Sequence, residues 1–311
     1  MFRSLRGRAL AVLGVVMAVT LMATAPVAAS ASPSGGDPGG YAAVHKTVPP
    51  HPEGVVSHDV DLPHGPVHPG DVTIPYWQGS FQRDGQTYPY RMVGSNPADG
   101  SATTTVPVVM VPLRFVFDVD GSVVESSSMV PDLLASPIFT PLPTRTAFTQ
   151  FGDAIQRESF FQTVSTVAPE WHTLLGQPQV LPTVTVRVPV DKGISQYIDT
   201  FGRRYGYIEI DWLNSKLQSL LTSMRLDPRA LTIFLGYNTN AFFKGEDVRS
   251  CVTTFCEGAE AFHSVQNIGG GADHAPRAAR TYIYDQYTDL GEAPTDIGRF
   301  ASLNLSHEVL E

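Results

Sequence analysis

Cysteine is almost missing from this chain: Cys251 and Cys256 are the two in 311 residues. A thiolate-built zinc centre would need more thiols or histidines close by. In an oxidising compartment, the short loop Cys251-Val-Thr-Thr-Phe-Cys256 reads instead as a disulfide that pins a local excursion. Lysine is nearly as scarce, with Lys46, Lys192, Lys216 and Lys244 alone, and the net charge is −9. That balance speaks against nucleic acid or anionic membrane surfaces as partners. No apolar run of membrane length follows the N-terminal segment, and no internal repeat is evident. Gly269-Gly-Gly271 follows no strand-to-helix phosphate pattern. Asp118-Val-Asp120-Gly121 lacks the rest of a calcium loop and reads as a tight turn.

What is present begins with an export signal. Arg3, Arg6 and Arg8 precede an apolar Ala9–Met22 and an Ala29-Ser30-Ala31 cleavage site, so residues 1–31 read as a signal peptide. An uncleaved anchor is the competing reading; Pro26 and the small residues after it favour cleavage. Removal takes the charge to about −12 and leaves a secreted chain with no membrane attachment. Residues 32–71 are rich in Pro, Gly and His and read as a flexible leader, in which His45, His51, His58, His64 and His68 are solvated.

Residues 72–311 suffice for one α+β domain, a mixed β-sheet with packed helices. Ile74–Phe81 and Thr87–Met92 flank Arg83-Asp84-Gly85-Gln86, a hairpin signal. Thr105–Phe117 reads as one long strand, Thr146–Gln162 as an amphipathic helix, and Val180–Val190 as a strand again. Leu213, Leu217, Leu220, Leu221 and Met224 mark a helix over Asp211–Leu226. Leu231–Tyr237 and Thr281–Tyr287 are strands. A last helix carries Ile297, Phe300, Leu303 and His307 on an inward stripe.

That helix holds the chemistry. The chain ends in Ser306-His307-Glu308-Val309-Leu310-Glu311, a variant of the H-E-x-x-H zinc pattern with Glu in the final place. Positions i and i+4 share a helix face, so His307 and Glu311 can close on one cation. Glu308 falls about 100° away, where it can polarise a metal-bound water. The bland alternative is a surface pair at i, i+4. A third ligand is expected after Glu311, and the uncapped ending reads as that of a fragment. His263, Tyr282 and Tyr284 are candidate cleft residues, with a plain loop histidine the competing reading for His263.

Several segments carry a resemblance: Val111–Phe117, Thr149–Asp153, Trp171–Gly176, Leu235–Asn238, Phe262-His263-Ser264, Tyr282–Tyr287 and Leu305–Glu311. Together they resemble a group of secreted bacterial proteins with an S-H-E-x-x-E-W segment, similar in turn to plant phosphate-induced, exordium-like proteins. The resemblance implies a zincin-like fold with His307 and Glu311 as Zn²⁺ ligands and Glu308 as base. The metal site so read makes the chain a metallopeptidase-like hydrolase acting on an extended peptide or protein, and the protein is expected to be monomeric. In zincin peptidases the strand before the metal helix lines the cleft, a place that Thr281–Tyr287 would take here. The alternative function is a non-catalytic exported protein that binds cell-surface glycan through Tyr76, Trp77, Phe81, Tyr88 and Tyr90.

Overall fold

Asp84 and Gly85 take positive φ values of 52° and 75°, the left-handed pair that a two-residue hairpin turn demands. They join β1 (Tyr76–Arg83) and β2 (Gln86–Val93) into the antiparallel ribbon that the sequence predicts. This computed structural model describes residues 71–145, 147–199, 202–243, 247–252, 258–269 and 277–288, with Leu305 and Val309. The expected signal and the leader through residue 70 lie outside the described residues, as do Cys256, His307, Glu308 and Glu311.

The run read as one strand over Thr105–Phe117 is divided at Pro107 into β3 (Thr103–Val106) and β4 (Val108–Phe117). Proline has no N–H to give a ladder. Its carbonyl still accepts Leu231 N at 2.9 Å, while Val106 O accepts Gly176 N at 2.8 Å. So β3 turns aside to pair in parallel with β5 (His172–Leu175). The turn after β4 is tight, as read. Asp120 Oδ1 accepts Ser122 N at 2.9 Å, and Arg187 and Arg204 occupy the two carboxylates.

The amphipathic helix expected over Thr146–Gln162 is broken. Phe148–Thr149 is a short strand, and α1 (Phe151–Ser159) meets α2 (Phe161–Thr166) at a non-helical Phe160. Phe148, placed on the apolar stripe by its spacing, is 73% exposed. What α1 turns inward is Asp153, Ala154 and Arg157, a face held by hydrogen bonds rather than by apolar burial.

Val180–Val190 likewise yields a short β6 (Val184–Val188), bounded by Pro182 and Pro189. Strands β7 (Gly193–Ile198) and β8 (Arg203–Glu209) follow. Next comes α3 (Ile210–Ser223), where Leu213, Leu217 and Leu221 are fully buried as their spacing predicts. The chain continues through β9 (Leu231–Tyr237), β10 (Thr239–Phe242), β11 (Ala261–Ile268) and β12 (Ala278–Tyr287).

The main sheet runs β6-β4-β9-β12-β11, parallel through β12, with β11 antiparallel at the end. Short segments Val123–Glu125 and Gln179–Val180 bring it to seven strands. One face packs Phe115, Phe117, Phe234, Tyr282 and Tyr284 under α3; the other packs Val108, Met110, Ile233, Leu235 and Ile283 with Leu133, Phe139 and Leu305. A second sheet, β7-β8-β10 with Gly258–Ala259, adjoins it. Asn238, at φ 43°, is the one residue between β9 of the first sheet and β10 of the second. Its N–H donates to Tyr287 O at 3.0 Å, and its carbonyl accepts Gly206 N at 2.8 Å. The architecture is α+β with mixed sheets, and among the described residues no helix is long and apolar enough to cross a membrane.

The two sheets meet closely where β8 passes Phe117. A Cβ on Gly206 would stand 2.6 Å from Phe117 Cζ. Gly206→Ala is therefore expected to cost about 1–3 kcal/mol of overpacking strain. Adding Phe117→Leu should recover part of that cost, read as a coupling energy in a urea-denaturation double-mutant cycle.

Candidate functional site

Asp153 is 1% exposed at the start of α1, and three donors hold its carboxylate. Thr149 Oγ1 donates to Oδ2 at 2.7 Å, and Thr173 N donates to Oδ1 at 2.6 Å. His172 Nδ1 lies 2.7 Å from Oδ2, with its ring partly exposed. A buried carboxylate is tolerated when its lone pairs are filled in this way.

Beside it, Gln150 imitates a strand partner. Its Oε1 accepts Leu175 N at 2.8 Å, and its Nε2 donates to Leu175 O at 2.8 Å and to Phe139 O at 3.1 Å. Arg157, one turn on, donates to the carbonyls of Pro169 and Trp171. Trp171 is fully buried and donates Nε1–H to Ser95 O at 2.8 Å. These bonds fix α1 against β5 and the base of the hairpin. The residues are far apart in sequence, and only the polar stretch Thr149–Asp153 and the Trp171-His172 pair gave a sign of them. His172 opens β5, with its ring partly exposed.

The anchored helix forms one wall of a cavity of about 250 Å³. Its floor is the main sheet, from Leu231 of β9 and Ile283 of β12 to Val265 of β11. Phe151, Gly152, Asp153 and Gln156 of α1 face that floor, with Tyr76 and Arg91 of the hairpin at the side. Arg91 lies over the Tyr76 ring, its guanidinium carbon 5.9 Å from the centroid. Val309 completes the lining, and a Cβ on Gly152 would stand 3.8 Å from its Cγ1.

His263, expected in a cleft, does line this cavity. Tyr282 and Tyr284 do not, because alternate residues of β12 face opposite ways. Thr281 and Ile283 reach the cavity, while Tyr282 and Tyr284 are fully buried on the α3 side. Tyr282 OH donates to Asn214 Oδ1 and accepts Gln218 Nε2, and Tyr284 OH donates to Thr239 O at 2.7 Å. Burial pushes both phenols above their ordinary range, so they serve as core hydrogen-bond donors. The strand at the sheet edge beside the cavity is β11, whereas Thr281–Tyr287 lies within the sheet. Phe262-His263-Ser264 gave too little alternation for β11 to be read.

His307, Glu308 and Glu311 lie outside the described residues, and among those described no group of three or more His, Cys, Asp or Glu is set to hold a metal. Imidazole nitrogen with carboxylate oxygen is nonetheless a donor set suited to Zn²⁺. Within the same segment Leu305 and Val309 are helical; Leu305 is fully buried against the sheet, and Val309 packs beside it. Neither belongs to the expected inward stripe of Ile297, Phe300, Leu303 and His307. Cys251 is buried and disulfide-bonded.

No protein-family model, curated protein or solved structure matches this chain.

Asp153→Ala is expected to cost about 3–5 kcal/mol, since it strips three buried donors of their acceptor. His172→Ala removes one donor and should cost about 1–2 kcal/mol. Urea denaturation of both variants checks the order.

Proposed function

We propose that this chain is a secreted, zincin-like, metal-dependent hydrolase acting on extended peptides. His307 and Glu311 serve as ligands and Glu308 as general base. The observation that carries the reading is Val309. It stands inside the H-E-x-x-E segment and lines the same cavity as His263 and Val265 of β11. Among the described residues β11 pairs with β12 alone and ends the main sheet, and in this reading the substrate backbone adds along it as a further strand. A parallel sheet ending in an antiparallel strand beside a cavity supports the zincin-like assignment. The cleft strand of this reading is β11 rather than Thr281–Tyr287.

His307 and Glu311 would hold Zn²⁺, which would supply Lewis acidity towards water and the scissile carbonyl. Glu308 would act as the general base, taking a proton from water and giving it to the leaving amine. A carboxylate in place of the second imidazole makes the metal a weaker Lewis acid, which suits slow or narrow turnover. Protein purified without chelator or His-tag is expected to carry about one equivalent of zinc. Glu308→Gln should keep the metal and lower peptide cleavage about 10²–10⁴-fold. Protein free of metal, with a stability that EDTA leaves unchanged, defeats the proposal.

A second reading rests on the hairpin. Phe81 and Tyr88 are exposed, 51% and 39%, and stack with centroids 5.3 Å apart at 19°. Tyr90 and Trp77 continue the aromatic run towards the core. This is a platform for a non-catalytic, glycan-binding exported protein. Under it, Phe81→Ala with Tyr88→Ala abolishes retention on insoluble cell-wall glycan and leaves zinc content alone. Unchanged retention rejects it.

A further inference from the structure

We infer that the cavity between α1 and the main sheet binds the C-terminal residue of a peptide, with an apolar side chain on the sheet and its free carboxylate at Arg91. Three kinds of group converge on one space. The floor is apolar, formed by Leu231, Val265 and Ile283. Two polar atoms that line it, Thr73 Oγ1 and Gln156 Oε1, are buried with no hydrogen-bond partner. Arg91 at the side makes no ion pair among the described residues and lies over the face of Tyr76.

Each group constrains the occupant. A desolvated amide oxygen needs a donor, so the ligand carries an N–H for Gln156. A desolvated hydroxyl can donate, so it carries an acceptor for Thr73. An exposed arginine without a carboxylate at the rim of an apolar cavity offers a planar anion a forked pair of bonds. An apolar body, one amide N–H and one carboxylate together describe an N-acylated apolar amino acid, the last residue of a peptide chain.

Charge and size agree. Among the described residues the one carboxylate in the wall is Asp153, and Thr149, His172 and Thr173 already hold its oxygens. A cavity of roughly 150 Å³ takes benzene; by that measure 250 Å³ takes about ten non-hydrogen atoms, close to an acylated leucine with its carboxylate at the rim. The inference shares its cavity with the metal reading, since Val309 lines it, but none of the groups it assigns to the ligand belongs to the H-E-x-x-E segment. Its test requires neither zinc nor turnover, so either reading can fail without the other.

Isothermal titration of the full chain with N-acetyl-leucine, N-acetyl-leucinamide and 4-methylpentanoate tests it. N-acetyl-leucine is expected to bind. The amide, which lacks the charge, and the simple acid, which lacks the N–H, should each bind about tenfold more weakly or worse. Arg91 is exposed, so Arg91→Met should fold normally by circular dichroism and bring N-acetyl-leucine and its amide to equal affinity. Gln156→Met should instead equalise N-acetyl-leucine and 4-methylpentanoate. Absence of N-acetyl-leucine binding at millimolar concentration overturns the inference. So does 4-methylpentanoate binding as tightly as N-acetyl-leucine to the unaltered chain, which would make this an acyl-chain site. An Arg91→Met protein that folds and keeps its preference for the acid removes the carboxylate from Arg91.

Discussion

A run of parallel strands such as β6, β4, β9 and β12 persists only with both of its faces out of water. Here α3 and its leucines cover one face, and the segments around Leu133 and Phe139, with Leu305, cover the other. Covering the second face does not use apolar residues alone. At the N-terminal ends of β9 and β12 the neighbour is α1, whose inward residues include a carboxylate and a guanidinium. Such a helix packs on a sheet when most of its polar groups are paired; β5 and its flanks supply partners for Gln150, Asp153 and Arg157, while Gln156 Oε1 is left over. The cavity is the space left between an apolar floor and a wall positioned by hydrogen bonds.

Patterns that close within a few residues were legible in the sequence. Asp84-Gly85 announced its hairpin, and the leucines of α3 announced their helix, because turn conformation and helical period are local properties. Prolines misled in a consistent manner. Pro107, Pro182 and Pro189 all lie inside runs that read as continuous strand, and each marks an end instead, since none can donate to a ladder. The helix over Thr146–Gln162 was misjudged because its phenylalanines suggested an apolar face. The burial that matters there belongs to Asp153 and Arg157, and all their partners but Thr149 lie 12 to 20 residues away.

The candidate site divides along the same line. His263 was picked out from its neighbours and lines the cavity. Tyr282 and Tyr284 were picked out with it and belong to the core, because a strand inside a sheet offers only every second side chain to a given face. Arg91, Gln156 and Thr73 carried no motif at all; only the fold brings residues from the hairpin, from α1 and from the chain before β1 to one space. The catalytic proposal for His307, Glu308 and Glu311 remains a matter of motif and resemblance. Val309, inside that motif, lines the same cavity as His263 and Val265 of β11.

Asn238 has a mechanical consequence. One residue donates to the seven-stranded sheet and accepts from the four-stranded sheet, with no slack between β9 and β10. Glu260 makes a second such joint between Gly258–Ala259 and β11. Shear applied to β8 therefore reaches β12 without a linker to absorb it, and the melting of one sheet is tied to that of the other.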